Sequence, residues 1–214
     1  MNDNPPELSL LETRILGTLI EKQRTVPDTY PLSVNALQAG CNQKTSRNPV
    51  METTEAEILV ALDDLKEKGW VREVSGSRVS RFEHQVEKVL GVPTQASALL
   101  TVLMLRGPQT AGELRLNCER LYRFADISSV EAFLEELAAR ADGALVVELP
   151  RLPGARENRW MHLLSGQPQI ESGQASVRPV AANQDMEELR ARVTALEGEM
   201  AELRNLLRQV VDPS

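Results

Sequence analysis

The sequence predicts a mainly helical protein with small β-hairpins, an α+β chain made of two tandem copies of one unit and a helical tail. Three observations carry this. Thr53 to Val74 reads as one helix running into one strand, with Ile58, Ala61, Leu62 and Leu65 on a single helical face. A shift of 72 positions places Val130, Phe133, Leu134 and Leu137 in the same pattern, with Asp126 where Thr54 stands as cap. In each copy two further helices precede the helix and a hairpin follows it, which is the order of a winged helix-turn-helix. The expected layout is a first winged-helix domain over 8–85, a second over 93–164, a flexible linker over 165–184 and a coiled-coil helix over 185–211.

Taken in order, Ser9 and Glu12 form a capping box, and Leu11, Ile15, Leu16, Leu19 and Ile20 give the first helix a buried stripe ending near Arg24. Pro27 and Pro31 bracket a turn, and Leu32 to Cys41 is the second helix. A polar insertion, CNQKTSRNPVMET, separates it from the third helix, which Thr54 and Glu57 cap and Lys68-Gly69 end. Trp70 to Val74 and a return to about His84 make the first wing, and Gln85 to Pro93 is a connector. In the second copy Thr94 caps a helix to Arg106, Gly107-Pro108 breaks it, and Thr110 caps the next, to about Arg120. Asp126 opens the third helix, Asp142-Gly143 stops it, and strands over Ala144 to Leu149 and Arg159 to Leu164 flank a Pro153-Gly154 turn.

From Ser165 to Gln184 glycine, proline, serine and glutamine replace large apolar residues, as a linker requires. Met186, Leu189, Val193, Leu196, Met200, Leu203, Leu207 and Val210 then alternate at spacings of three and four, an a/d seam of about three and a half heptads. In a parallel two-stranded coil the flanking positions pair Asp185 with Arg190, Arg192 with Glu197 and Glu199 with Arg204, all opposite in sign. That pattern favours a homodimer through the coil over a lone amphipathic helix folded back on the domains.

The 214 residues carry a formal net charge of −7, the wrong sign for a chain that wraps nucleic acid over its whole surface. Cys41 and Cys118 read as two small buried apolar residues, each near the end of the second helix of its copy. The acidic, proline-rich start is unlike a signal peptide, and the most apolar run, Ala96 to Leu105, is about half a membrane span. A soluble cytoplasmic protein without a membrane association is expected. No catalytic or metal-ligating constellation emerges: His84 and His162 stand alone at the ends of the return strands, and no cofactor is expected.

The third helices bear on DNA binding. Glu52 to Lys68 carries six acids against two lysines, and Asp126 to Asp142 five acids against Arg140, so each sums to −4. Phosphates would repel such faces, and groove insertion of either helix is disfavoured. Positive charge sits instead at Lys44 and Arg47 in the insertion, at Arg72, Arg78 and Arg81 on the first wing, and at Arg151, Arg156 and Arg159 on the second. Tyr30, Asn35, Asn42, Gln43, Lys44, Thr45, Arg47 and Asn48 make 30–50 dense in hydrogen-bonding groups. This stretch is either a loop tying the second helix to the third or a surface that binds something.

Ile20 to Val50, with Leu105 to Arg115 (LRGPQTAGELR) and Glu157 to Gly166 (ENRWMHLLSG), resembles the YceH-like bacterial family. The resemblance runs from about Leu8 to Gly166 and implies tandem winged-helix domains with no established biochemical function. The expected function is therefore a non-enzymatic, dimeric interaction protein that binds protein partners. The alternative is a transcription-associated DNA-binding protein using the wings and the Lys44/Arg47 loop. The candidate binding residues are Tyr30, Asn42, Gln43, Lys44, Arg47, Arg72, Arg78, Arg81, Arg156 and Arg159.

Overall fold

Ser9 starts the first helix, α1 (Leu10–Thr25), through a reciprocal capping box with Glu12, which satisfies two of the amide N–H groups that a helix start leaves without partners. The computed structural model describes residues 7–74 and 79–167 of the chain. After a 3-10 turn at Pro27–Thr29 come a short strand β1 (Leu32–Ser33) and helix α2 (Val34–Cys41), capped by the Ser33 hydroxyl. Helix α3 (Glu55–Glu67) opens on the Thr54/Glu57 box and is followed by β2 (Val71–Val74) and β3 (Arg81–His84). These strands form an antiparallel sheet of order β1-β3-β2.

Two elements depart from the sequence expectation here. The second helix begins two residues later than Leu32, because Leu32 and Ser33 pair with Phe82 and Arg81 as a sheet edge. The supposed connector 85–93 contains a helix, α4 (Val86–Leu90), whose Val86 and Leu90 are one turn apart and both buried. Gly91, at φ +59°, ends it in the left-handed region that glycine enters without strain.

The second copy repeats the order. Helix α5 (Thr94–Arg106) takes Pro93 as its cap, so Thr94 is its first residue and its hydroxyl caps nothing. Helix α6 (Ala111–Asn117) opens on a Thr110/Glu113 capping box and stops at Cys118, short of the expected Arg120, since the chain turns there with Leu121 and Tyr122 N–H groups donating to the Cys118 carbonyl. Helix α7 (Ile127–Ala138) is capped by Asp126. Strands β4 (Val146–Leu149) and β5 (Arg159–His162) pair antiparallel, and Gln109 bridges Trp160 as β1 bridges β3. The described chain is thus α+β, about half helical with small antiparallel sheets.

What joins the copies is a helix crossing. The broadest helix-helix contact is between α1 and α5. Where α1 was expected to bury one stripe, every residue from Glu12 to Ile20 is buried, because α2 and α3 cover one side and α5 the other. Likewise the apolar run Ala96 to Leu105 is buried throughout, as a central helix requires. The crossing is close: a methyl added at Gly17 would lie 2.9 Å from the Leu105 side chain. One core cluster consequently extends from Leu8 to Leu164, and the Leu8 N–H donates to the Leu164 carbonyl at 2.8 Å.

The two histidines end equivalent strands, His84 opposite Val71 and His162 opposite Val146, and both are buried. Burial holds each imidazole down at about 4. The unfolded chain takes up these protons from about pH 6.5 downward while the folded chain does not, so their stabilisation is complete above 6.5 and is lost as pH falls towards 4. Below that both states are protonated and the loss levels off. In His162→Gln the fall in urea midpoint between pH 6.5 and 4 should shrink by roughly a third to a half. An undiminished fall would refute this assignment.

Among the described residues no helix is long and apolar enough to cross a membrane. The linker and the coiled-coil seam from Met186 to Val210 lie outside the described residues, as does Arg78.

Candidate functional site

The polar insertion is built inward before it is built outward. Asn42, just past the end of α2, grips Thr53: its Nδ2 donates to the Thr53 carbonyl at 2.8 Å, and its Oδ1 accepts from the Thr53 N–H and hydroxyl at 2.9 and 2.8 Å. Gln38 Nε2 donates to the same carbonyl at 2.9 Å. The two ends of the loop are thereby closed on each other immediately before the Thr54 cap of α3.

Two buried guanidiniums hold the middle. Arg14 on α1 is 0 % exposed and donates to the carbonyls of Cys41 at 3.1 Å and Pro49 at 2.7 Å. Arg47 is 6 % exposed; its Nε donates to the Gly40 carbonyl at 3.1 Å, and its Nη1 and Nη2 fork onto Glu21 at 3.2 and 2.6 Å. Both arginines thus cap carbonyls at the C-terminus of α2, where the helix dipole is negative. Burial alone would push the Glu21 carboxyl up, but the hydrogen bonds and charge of Arg47, with Lys22, outweigh it and hold the carboxyl below its ordinary value. Arg14, with no carboxylate against it among the described residues, is lowered by burial and by the neighbouring charge of Arg47.

The candidate residues therefore divide. Arg47 belongs to the interior and is removed from the binding surface. Tyr30 is half-buried: it packs against the core, and its hydroxyl accepts from the His84 N–H at 2.8 Å. Asn42 is committed to Thr53. Gln43 is half-buried and Lys44 is exposed at the tip of the loop. On the first wing Arg72 is exposed but forks onto Glu83 across the strand pair at 2.7 and 2.6 Å, and Arg81 donates to the carbonyls of Thr29 and Pro31. On the second wing Arg156 is exposed, Arg159 half-buried, and Arg151 donates to Asn158 at 3.3 Å.

The loop also reaches the second copy. The Asn48 N–H donates to the Leu105 carbonyl at 2.8 Å, and Arg106 Nη2 donates to the Ser46 hydroxyl at 2.7 Å. Ser46 sits at φ +59°, a left-handed conformation that serine adopts rarely. Beside this junction a cleft of about 290 Å³ opens between the end of α1, the loop, α5 and α6. Of the described candidate residues only Gln43 lines it; Lys22, Arg106, Asn117 and Arg120 join from elsewhere. Sequence reasoning passed over these four because three of them belong to the second copy and nothing local marks them as neighbours of the insertion.

The outer faces of the third helices are exposed as well as acidic. On α3, Glu55, Glu57, Asp63, Asp64 and Glu67 face solvent, and among them Leu59 is 42 % and Val60 65 % exposed. On α7, Glu131, Glu135 and Glu136 are exposed beside Ile127 at 46 %. The cysteines are interior: Cys41 donates to the Thr18 hydroxyl at 3.7 Å and Cys118 to the Ala98 carbonyl at 3.5 Å, and burial pushes their thiols up to about 11 and about 12, where they are unreactive. Among the described residues no group of three or more histidines, cysteines and acids is placed to hold a metal ion.

A family model described as "Protein of unknown function, DUF480" matches residues 8–155. A UPF0502 protein of Dechloromonas aromatica (strain RCB) is 81% identical over 207 residues, covering 97% of each chain. A UPF0502 protein of Burkholderia pseudomallei (strain 668) is 58% identical over 208 residues, covering 96% of this chain and 88% of its own. One of Burkholderia thailandensis is 60% identical over 199 residues, covering 92% and 85%.

Proposed function

The chain belongs to the DUF480 family, whose relatives above carry the name UPF0502, and we propose that it is a non-enzymatic tandem winged-helix interaction protein that binds protein partners. The order helix, helix, helix, hairpin in each copy supports the winged-helix reading, as does the YceH-like resemblance. The observation that carries the functional reading is the solvent face of α3, where Leu59 and Val60 stand exposed amid five exposed acids. A winged helix that reads DNA puts this face in the major groove, against two rows of phosphates. An acidic face repels them, and the phosphate contacts that give DNA affinity are lost. Exposed apolar side chains rimmed by carboxylates suit instead a protein surface that offers an apolar anchor and basic groups.

The coil read from Met186 to Val210 makes the protein a homodimer in this account. The full-length chain should then sediment as a dimer at micromolar concentration, and a monomer there would remove that part.

The partner surface is tested by the double substitution Leu59→Ser/Val60→Ser, compared with wild type in quantitative cross-linking and capture from cells. Because both residues are exposed, stability should change by less than about 0.5 kcal/mol. Partners docking on α3 should be depleted at least tenfold; an unchanged set would overturn the assignment of this face. The DNA-binding alternative rests on Lys44 and Arg156, which are exposed and, among the described residues, make no ion pair.

A further inference from the structure

We propose that the cleft between the two copies is a binding site for a small multiply charged oxyanion, of the organic phosphate or pyrophosphate class. Its walls bring together Lys22 near the end of α1, Arg106 at the end of α5, and Arg120 just past α6. Gln43 supplies a neutral amide, while Asn117 Nδ2 donates to Gln109 Oε1 and the Ser46 hydroxyl accepts from Arg106, both at 2.7 Å, and Val102, Leu105 and Leu121 contribute apolar surface. Cationic and amide donors converging over an apolar floor are what a preformed ligand site offers.

A simpler account of these cations is that they neutralise helix C-termini, since α1, α5 and α6 all end near the cleft. Magnitudes decide against its being sufficient. Each terminus carries about half a negative charge, so three supply at most about one and a half. The one acid in the lining among the described residues, Glu21, is shared by Arg47 at 3.2 and 2.6 Å and Lys22 at 3.3 Å. Lys22, Arg47, Arg106 and Arg120 together, set against the single carboxylate of Glu21 and the three termini, leave roughly one and a half positive charges uncompensated, in a chain whose net charge is −7. An anion completes that balance.

Size narrows the class. At about 30 Å³ per water, the 290 Å³ cleft holds roughly ten waters' worth of ligand, which suits a phosphate-bearing small molecule. Such an occupant would touch α1 and the loop of the first copy and α5 and α6 of the second. It would favour the junction at Ser46 and Arg106 and tie the two copies together.

The test is isothermal titration of the full-length protein with inorganic pyrophosphate, at constant ionic strength held with sodium chloride. A saturable isotherm with one site per chain is expected. Arg120→Gln should weaken it at least tenfold, and the wing change Arg156→Gln should leave it within twofold. Arg120 is exposed and, among the described residues, donates no hydrogen bond, so its variant keeps the fold; an unchanged melting temperature without ligand checks this. No saturable binding, or equal binding in Arg120→Gln, overturns the proposal. A parallel arm adds mixed-sequence duplex DNA as competitor at equal phosphate concentration. Displacement of pyrophosphate would reassign the cleft to a nucleic-acid backbone and overturn the small-molecule form; failure to displace supports it.

Discussion

Arg47→Ala should cost the fold about 2–3 kcal/mol, whereas Lys44→Ala, three residues away, should cost less than about 0.5 kcal/mol. Both are basic residues of one polar loop, and their difference lies in what faces them. Truncating Arg47 leaves the half-buried Glu21 with Lys22 alone, at 3.3 Å, in place of its bidentate partner, and the Gly40 carbonyl without its donor. A buried charge stripped of its partner loses far more than the net worth of the pair. Lys44 is exposed and loses only solvated methylenes. Urea midpoints of the full-length variants measure this directly, and similar midpoints for the two would contradict the buried-network account. The pair also has a pH signature. Because the Glu21 carboxyl is lowered in the fold, its stabilisation is complete above the ordinary value of 4.5 and disappears as pH falls through the lowered one. Wild type should therefore lose the part of its advantage over Arg47→Ala that comes from Glu21 in strong acid, keeping the part from the Gly40 carbonyl.

Gly40→Ala should destabilise by about 2 kcal/mol although it adds a single methyl and improves helix propensity by up to about 1 kcal/mol. The added Cβ would lie 2.5 Å from Thr18 Cγ2, inside the α1–α2 contact, where neither helix can withdraw without opening the core. Thr18→Ser removes that methyl and keeps the hydroxyl that accepts from Cys41. The double variant Gly40→Ala/Thr18→Ser should recover at least half of the loss. Additive costs in the cycle would mean that the two helices are not in the close contact described.

The third helices were legible because their cues are local. Thr54 with Glu57 announces a capping box, Ile58, Ala61, Leu62 and Leu65 share a face, and the same spacing 72 residues later marks the copy. The strands followed from short apolar runs on either side of turn residues. Other features were hidden because they depend on distant partners. A single stripe on α1 says nothing of the second neighbour, α5, that buries its other side. Lys44 and Arg47 look alike until Glu21, 26 residues earlier, is brought against one of them. The cleft cations come from separate helices, so no spacing in the chain collects them. The connector 85–93 concealed α4 because five residues carry too little periodicity to register.

Fluorescence anisotropy of mixed-sequence duplex DNA titrated with full-length protein at low and physiological salt tests most directly whether the acidic third helices keep DNA out of reach. Wild type should give no rise at low salt, where non-specific attraction to phosphates is strongest, and Asp63→Lys/Asp64→Lys on α3 should gain salt-sensitive binding. Binding by wild type that weakens steeply with salt and is lost in Lys44→Glu/Arg156→Glu would contradict the account and establish the DNA-binding reading in its place.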